Sequence, residues 1–152
     1  MKFMKQILLL IGVAMFFCLE ACHEKTVGYL ITENASYDPD TMYVRKTPDP
    51  QLDWFRIENK APWKSLALQG YEGTELIYFY VESVTYEGPL SEAAGEEAAQ
   101  NFMKNLSVRS GGALEYPFEN DAVPGTYKVS IRLTNPGYSH VLQDAMKIIV
   151  TE

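Results

Sequence analysis

The chain has 152 residues, 47% of them hydrophobic, with 13 basic and 20 acidic side chains, a formal net charge of −7 and two cysteines. That length is one domain's worth of chain. A net negative charge without a basic cluster excludes the counterion-release mode of nucleic-acid binding and disfavours docking through anionic lipid headgroups.

The first 21 residues change what those totals mean: they hold 16 of the 71 hydrophobic residues with Lys2, Lys5 and Glu20, leaving 11 basic and 19 acidic groups in the other 131, net −8. Lys2 and Lys5 make a positive n-region and Ile7 to Phe17 an apolar h-region, as in a secretory signal. Glu20 closes that run before the roughly 20 residues a spanning helix needs. The segment Leu19-Glu20-Ala21-Cys22 resembles the lipobox of bacterial lipoproteins, with Leu19 and Ala21 at the family's positions and Glu20 where a small or β-branched residue is usual. Cys18 follows the bulky Phe17 and fits such a cleavage site poorly.

The resemblance implies a lipoprotein signal peptide at 1–21, a short tether at 22–26 starting at the lipidated Cys22, and a β domain at 27–152. Removal of Cys18 and acylation of Cys22 leave no thiol for a disulfide or a thiolate metal site. Two or three acyl chains, at ~0.8 kcal/mol per buried methylene, make a stable anchor. The tether spans at most ~17 Å, so the body is expected close to the bilayer; what the lipoprotein resemblance implies is the outer membrane, on its periplasmic or cell-surface face.

In chain order, Val27, Tyr29 and Ile31 alternate; Tyr37-Asp38-Pro39-Asp40 is a turn; Met42 and Val44 alternate again. The Pro-rich Thr47 to Pro50 leads to the apolar segment Trp54 to Ile57, and Asn59 to Pro62 separates it from Ser65 to Leu68. Glu75 to Tyr86 is apolar or aromatic on both alternating sets, which predicts a central strand burying Tyr78, Tyr80 and Tyr86. Ser91 to Lys104 carries Ala94, Ala98 and Phe102 at four-residue spacing, one short amphipathic crossover helix capped by Ser91, with Gly95 costing ~1 kcal/mol against alanine. Leu106 and Val108 alternate before Gly111-Gly112 turns the chain into Ala113 to Phe118. In Thr126 to Thr134, Tyr127, Val129, Ile131 and Leu133 share one face, and Asp144 to Thr151 closes the sheet after Asn135-Pro136-Gly137.

Gly125-Thr126-Tyr127-Lys128-Val129 resembles the tyrosine corner of immunoglobulin-like sandwiches, without the following cysteine. From Phe102 to Val150 the chain is similar to immunoglobulin-like or cadherin-like repeats; the cadherin calcium motifs are not matched. The fold class expected is mainly β, a single antiparallel sandwich with one short crossover helix. Asn34 to Tyr37, Ile57 to Trp63 and Asn135 to Ser139 resemble small Bacteroidetes lipoproteins associated with glycan-uptake systems, and Asp40-Thr41-Met42 resembles the O-glycosylation site of those bacteria, with Thr41 as acceptor.

Catalytic patterns are sparse. The histidines are His23, beside the anchor, and His140; a nucleophile and an acid for His140 would have to come from Ser130, Ser139 and Asp144. No catalytic, cofactor or metal residues are expected. Ten tyrosines, two tryptophans and four phenylalanines follow Cys22, and Trp54, Trp63 and Tyr71 lie near Pro/Gly-rich connections where exposed rings contact ligands. Two functions compete: a non-catalytic structural or protein-interaction module packed against another outer-membrane protein, and a surface glycan-binding protein using exposed aromatic side chains.

Overall fold

The computed structural model describes residues 3–4, 6, 28–74 and 76–152. Cys22, the expected tether and all but three residues of the expected signal peptide lie outside them. Among the described residues, no helix is long and apolar enough to cross a membrane.

The molecule is mainly β. Its strands are β1 (Leu30–Ile31), β2 (Thr41–Arg45), β3 (Trp63–Lys64), β4 (Glu72–Gly73), β5 (Tyr78–Glu87), β6 (Ser107–Val108), β7 (Leu114–Tyr116), β8 (Gly125–Asn135) and β9 (Tyr138–Thr151). Among the elements from Leu30 onward, two α-helices lie between the strands, α1 (Trp54–Asn59) and α2 (Glu92–Asn105), with a short 3-10 turn at Ser110–Gly112. The strands form a four-stranded sheet in the order β2-β9-β8-β5, a three-stranded sheet β3-β7-β6 and a β1-β4 pair.

The long hairpin of β8 and β9 is the frame. Pro136 and Gly137 connect the strands, and Gly137 takes φ 95, a conformation glycine adopts without steric cost. The alternation in β8 holds: Tyr127, Val129, Ile131 and Leu133 are fully buried, and Met146, Ile148 and Val150 of β9 extend the same inner layer. β9 starts at Tyr138, well before Asp144, because the register absorbs extra residues opposite Ser130. Asp144 sits in that bulge at φ 48 and its N–H donates to Ser130 Oγ at 3.0 Å. The Tyr127 hydroxyl donates to the Val123 carbonyl at 2.8 Å, the bond a tyrosine corner requires.

The rest departs from a wholly antiparallel sandwich. β2 runs parallel to β9, pairing Thr41 with Lys147 through to Arg45 with Thr151. The intervening domain supplies the long crossover that a parallel pair needs, so the sheet is mixed. β5 is an edge strand, not a central one. The structure packs α2 against it, while Tyr78 and Tyr80 on its other face are each 52% exposed. A phenol tolerates water at its hydroxyl, so two-sided aromaticity does not require two-sided burial.

The segment Trp54 to Ile57, expected among the strands, is helical. Asp49 Oδ1 accepts from the N–H groups of Gln51 and Leu52 at 2.7 and 3.1 Å, a local turn that feeds the first helical bond from Ile57 N–H to Asp53 C=O. Lys60 ends the helix at φ 47 and Pro62 prevents its continuation. Ser65 to Leu68 is irregular, although Ser65 and Leu68 donate to Leu114 and Gly111 carbonyls, both at 2.9 Å.

Helix α2 forms where expected and crosses from β5 to β6, burying Gly95, Ala98, Ala99 and Phe102; Ser91 holds the N-cap position, but its side chain makes no capping bond. A methyl at Gly95 would lie 3.1 Å from Tyr86 Cδ1, so the propensity lost there permits a close helix–strand approach.

Burial pushes the Tyr116 and Tyr127 phenols up to about 12, and raises Tyr37 as well. Their unfolded value is near 10, so the stability they contribute is complete below pH 10 and lost as pH rises through about 12. In an alkaline titration these rings are expected to ionise together with the loss of near-ultraviolet circular dichroism. Ionisation of all ten tyrosines near pH 10 with the fold intact would contradict this packing.

Candidate functional site

A cleft of about 350 Å³ opens where β2, the start of α1 and β3 converge. Its floor is organised by Asp53, which is 2% exposed at the head of α1. Asp53 accepts two bonds from Arg45 Nη1, at 2.9 and 3.1 Å, and one from the Asp49 N–H at 2.9 Å. One carboxylate thereby fixes the Asp49 loop, α1 and β2 relative to one another. Such a buried charge is tolerable because it is both paired and hydrogen-bonded.

Arg56 follows Asp53 by three residues and so lies on the same side of the helix. Its guanidinium stands over the Trp63 ring at 4.9 Å, with that of Arg45 at 5.9 Å. The Trp63 ring in turn stacks on Phe118 at 6.4 Å. Around this floor Tyr43, Leu52 and Leu66 form an exposed rim, at 52%, 68% and 59%. The lining contains the basic residues Arg45, Arg56 and Lys64 and a single acid, Asp53. Lys64 bonds Glu115 at 3.1 Å, and the Lys64 and Arg109 bonds hold the Glu115 carboxyl below its ordinary range, Arg109 contributing most.

The residues singled out in the sequence separate. Trp54 is 60% exposed on α1, edge-on to the exposed Phe55 at 5.9 Å. Trp63, expected at a loop surface, is 2% exposed; pairing of β3 with β7 draws it into the core, so its ring faces cannot carry a ligand. Tyr71 is half-buried against Phe79 at 5.2 Å and takes no part in the cleft. Thr41 lines the cleft, its hydroxyl donating to Asp40 Oδ1 at 2.9 Å.

The groups around His140 do not converge. His140 Nδ1 is 3.0 Å from Thr32 Oγ1, Ser139 Oγ accepts from Arg132 at 2.8 Å, and Ser130 Oγ bonds Gln143 and the Asp144 N–H. Among the described residues, no three His, Cys, Asp or Glu side chains group to hold a metal.

Tyr43, Arg45, Asp53 and Arg56 were not legible as a set. Arg45 and Asp53 meet across a Pro-rich loop with no periodic spacing, although Tyr43 between the buried Met42 and Val44 has the outward place that alternation assigns it. Tyr78 and Tyr80 were hidden by the expectation of a central strand.

Asp53→Ala removes the acceptor for Arg45 and for the Asp49 N–H together. A loss of about 2 kcal/mol in denaturant unfolding is expected. A change below about 0.5 kcal/mol, the scale of an ordinary surface substitution, would contradict the organising role of this carboxylate.

No protein-family model and no curated protein matches the chain. Among solved structures it is similar to a SusE-like surface located polysaccharide binding protein from the Bacteroides thetaiotaomicron heparin utilisation locus, with a TM-score of 0.40 and 12% identity. The match covers 84% of this chain and 16% of that one, so this chain spans about a sixth of that protein's length.

Proposed function

We propose that this protein is a non-catalytic, lipid-anchored domain of the outer membrane that binds a surface glycan in the cleft between β2, α1 and β3. The observation that carries the reading is the pairing of the exposed Tyr43 ring with a fixed polar floor made by Arg45, Asp53 and Arg56. A sugar presents C–H faces and hydroxyl edges, and needs a flat apolar surface beside convergent polar groups. Arg45 is already held by Asp53, so little side-chain freedom remains to be lost on binding.

Size supports a small polar ligand. The cleft, about 350 Å³, lies at the lower end of the usual range for ligand sites. A protein partner would need a broad surface, on the order of 1,000 Å² or more. Trp54, exposed on α1, is not among the residues that line the cleft. Thr41, the proposed O-glycosylation acceptor, lies on the same cleft, so a glycan attached there would compete with a bound one.

Acylation of Cys22 and the short 22–26 tether would hold the cleft near the membrane, where another outer-membrane protein could take over the glycan. Metabolic palmitate labelling is expected in the wild type and lost in Cys22→Ala; persistence of label in that variant would contradict the anchor.

Affinity electrophoresis against a panel of host and dietary polysaccharides tests the binding reading. Retardation is expected on at least one, and Tyr43→Ala should weaken it about tenfold, from lost stacking and apolar contact. Absence of retardation on every member of the panel would overturn it.

A further inference from the structure

Two residues that line the cleft each carry a buried hydrogen-bond donor that the protein itself leaves without an acceptor. Trp63 Nε1 and Arg56 Nε are both buried and unpartnered. Trp63 is 2% exposed, and both residues line the cleft with the guanidinium standing over the indole ring. Buried N–H groups without partners are rare because their desolvation is uncompensated. Two in one cleft point to an acceptor arriving from outside.

The character of that acceptor follows from charge. The nearest carboxylate oxygen to Arg56 is Asp53 Oδ1 at 4.0 Å, beyond hydrogen-bond reach, while Asp53 is committed to Arg45 and the Asp49 N–H. Three basic residues and one acid line the cleft in a chain of net charge −7, so it is locally inverted in sign. A sugar hydroxyl accepts but also brings a proton to be placed. A carboxylate or sulfate oxygen only accepts, carries negative charge and matches a guanidinium edge, making the bonds charge-assisted.

We propose that the cleft selects an anionic sugar unit, whose carboxylate or sulfate oxygens accept from Arg56 Nε and Trp63 Nε1 while its ring lies against Tyr43. The proposal rests on the glycan-binding reading of the same site and narrows it to acidic glycans. Lys64, at the cleft margin and 53% exposed, adds long-range attraction rather than a fixed bond.

The test is titration of the full lipidated protein, ¹⁵N-labelled in detergent micelles, followed at its two tryptophan indole N–H signals. Trp54→Phe assigns them, by removing one signal. The probes are oligogalacturonate, a chondroitin sulfate disaccharide, neutral galacto-oligosaccharide and inorganic sulfate. The Trp63 signal is expected to move with an acidic sugar, the carboxylate and sulfate arms showing which anion is preferred, and to stay in place with the neutral sugar. Arg56→Gln should weaken the acidic interaction by about tenfold, the loss of one charge-assisted contact. Should Arg56→Gln disturb folding, Lys64→Gln serves instead, with an expected weakening of about threefold that fades at high salt.

Equal binding of neutral and acidic sugars would overturn the proposal and leave the glycan reading standing. Inorganic sulfate binding as tightly as the sulfated disaccharide would overturn the cleft as a sugar subsite. No response to any probe, with no retardation on the polysaccharide panel, would overturn both readings.

Discussion

The Phe102 ring joins the parts of this molecule. It comes from α2, is 1% exposed, and lies between Tyr127 of the four-stranded sheet at 4.0 Å and Tyr116 of the three-stranded sheet at 4.2 Å, nearly parallel to both. A helix and two sheets therefore share one aromatic stack. Burying a side chain of this size stabilises the fold by roughly 1.5–3 kcal/mol, and the stack adds to that. Tyr86 closes one end, edge-on to Tyr127 at 5.2 Å with its hydroxyl donating to the Pro124 carbonyl. Gly125, at φ 153, and Gly95 have no side chain where that ring must pass.

The same packing reaches the cleft. Tyr116 pairs with Trp63 across β7 and β3, and Trp63 stacks on Phe118 beneath the guanidinium of Arg56. The floor of the site is thus an extension of the core. Asp53 plays the complementary role from the loop side, holding Arg45 and the head of α1. Pre-organisation of this kind lets a small cleft bind a flexible, well-hydrated ligand, because less ordering remains to be done.

Much of the fold was legible where local pattern and burial agree. The alternation of Tyr127 to Leu133 and the four-residue spacing of Ala98 and Phe102 each carry a period that only one conformation satisfies. Legibility failed where tertiary contacts decide. Trp54 to Ile57 is too short for periodicity to distinguish helix from strand, and the turn at Asp49 with the buried Asp53 settles it. The two-sided aromatic pattern of β5 predicts burial on both faces, whereas Tyr78 and Tyr80 remain in water. Of the proposed contact residues, exposed Trp54 and buried Trp63 looked alike in sequence, since both follow Pro-rich connections. Strand pairing with β7 separates them.

The most direct measurement is a crystal structure of the protein with a bound acidic oligosaccharide. The sugar is expected in the cleft between β2, α1 and β3, its ring on Tyr43 and its anionic oxygens within hydrogen-bond distance of Arg56 Nε and Trp63 Nε1. Sugar bound instead on the Tyr78 and Tyr80 face of β5, with the cleft unchanged, would contradict it.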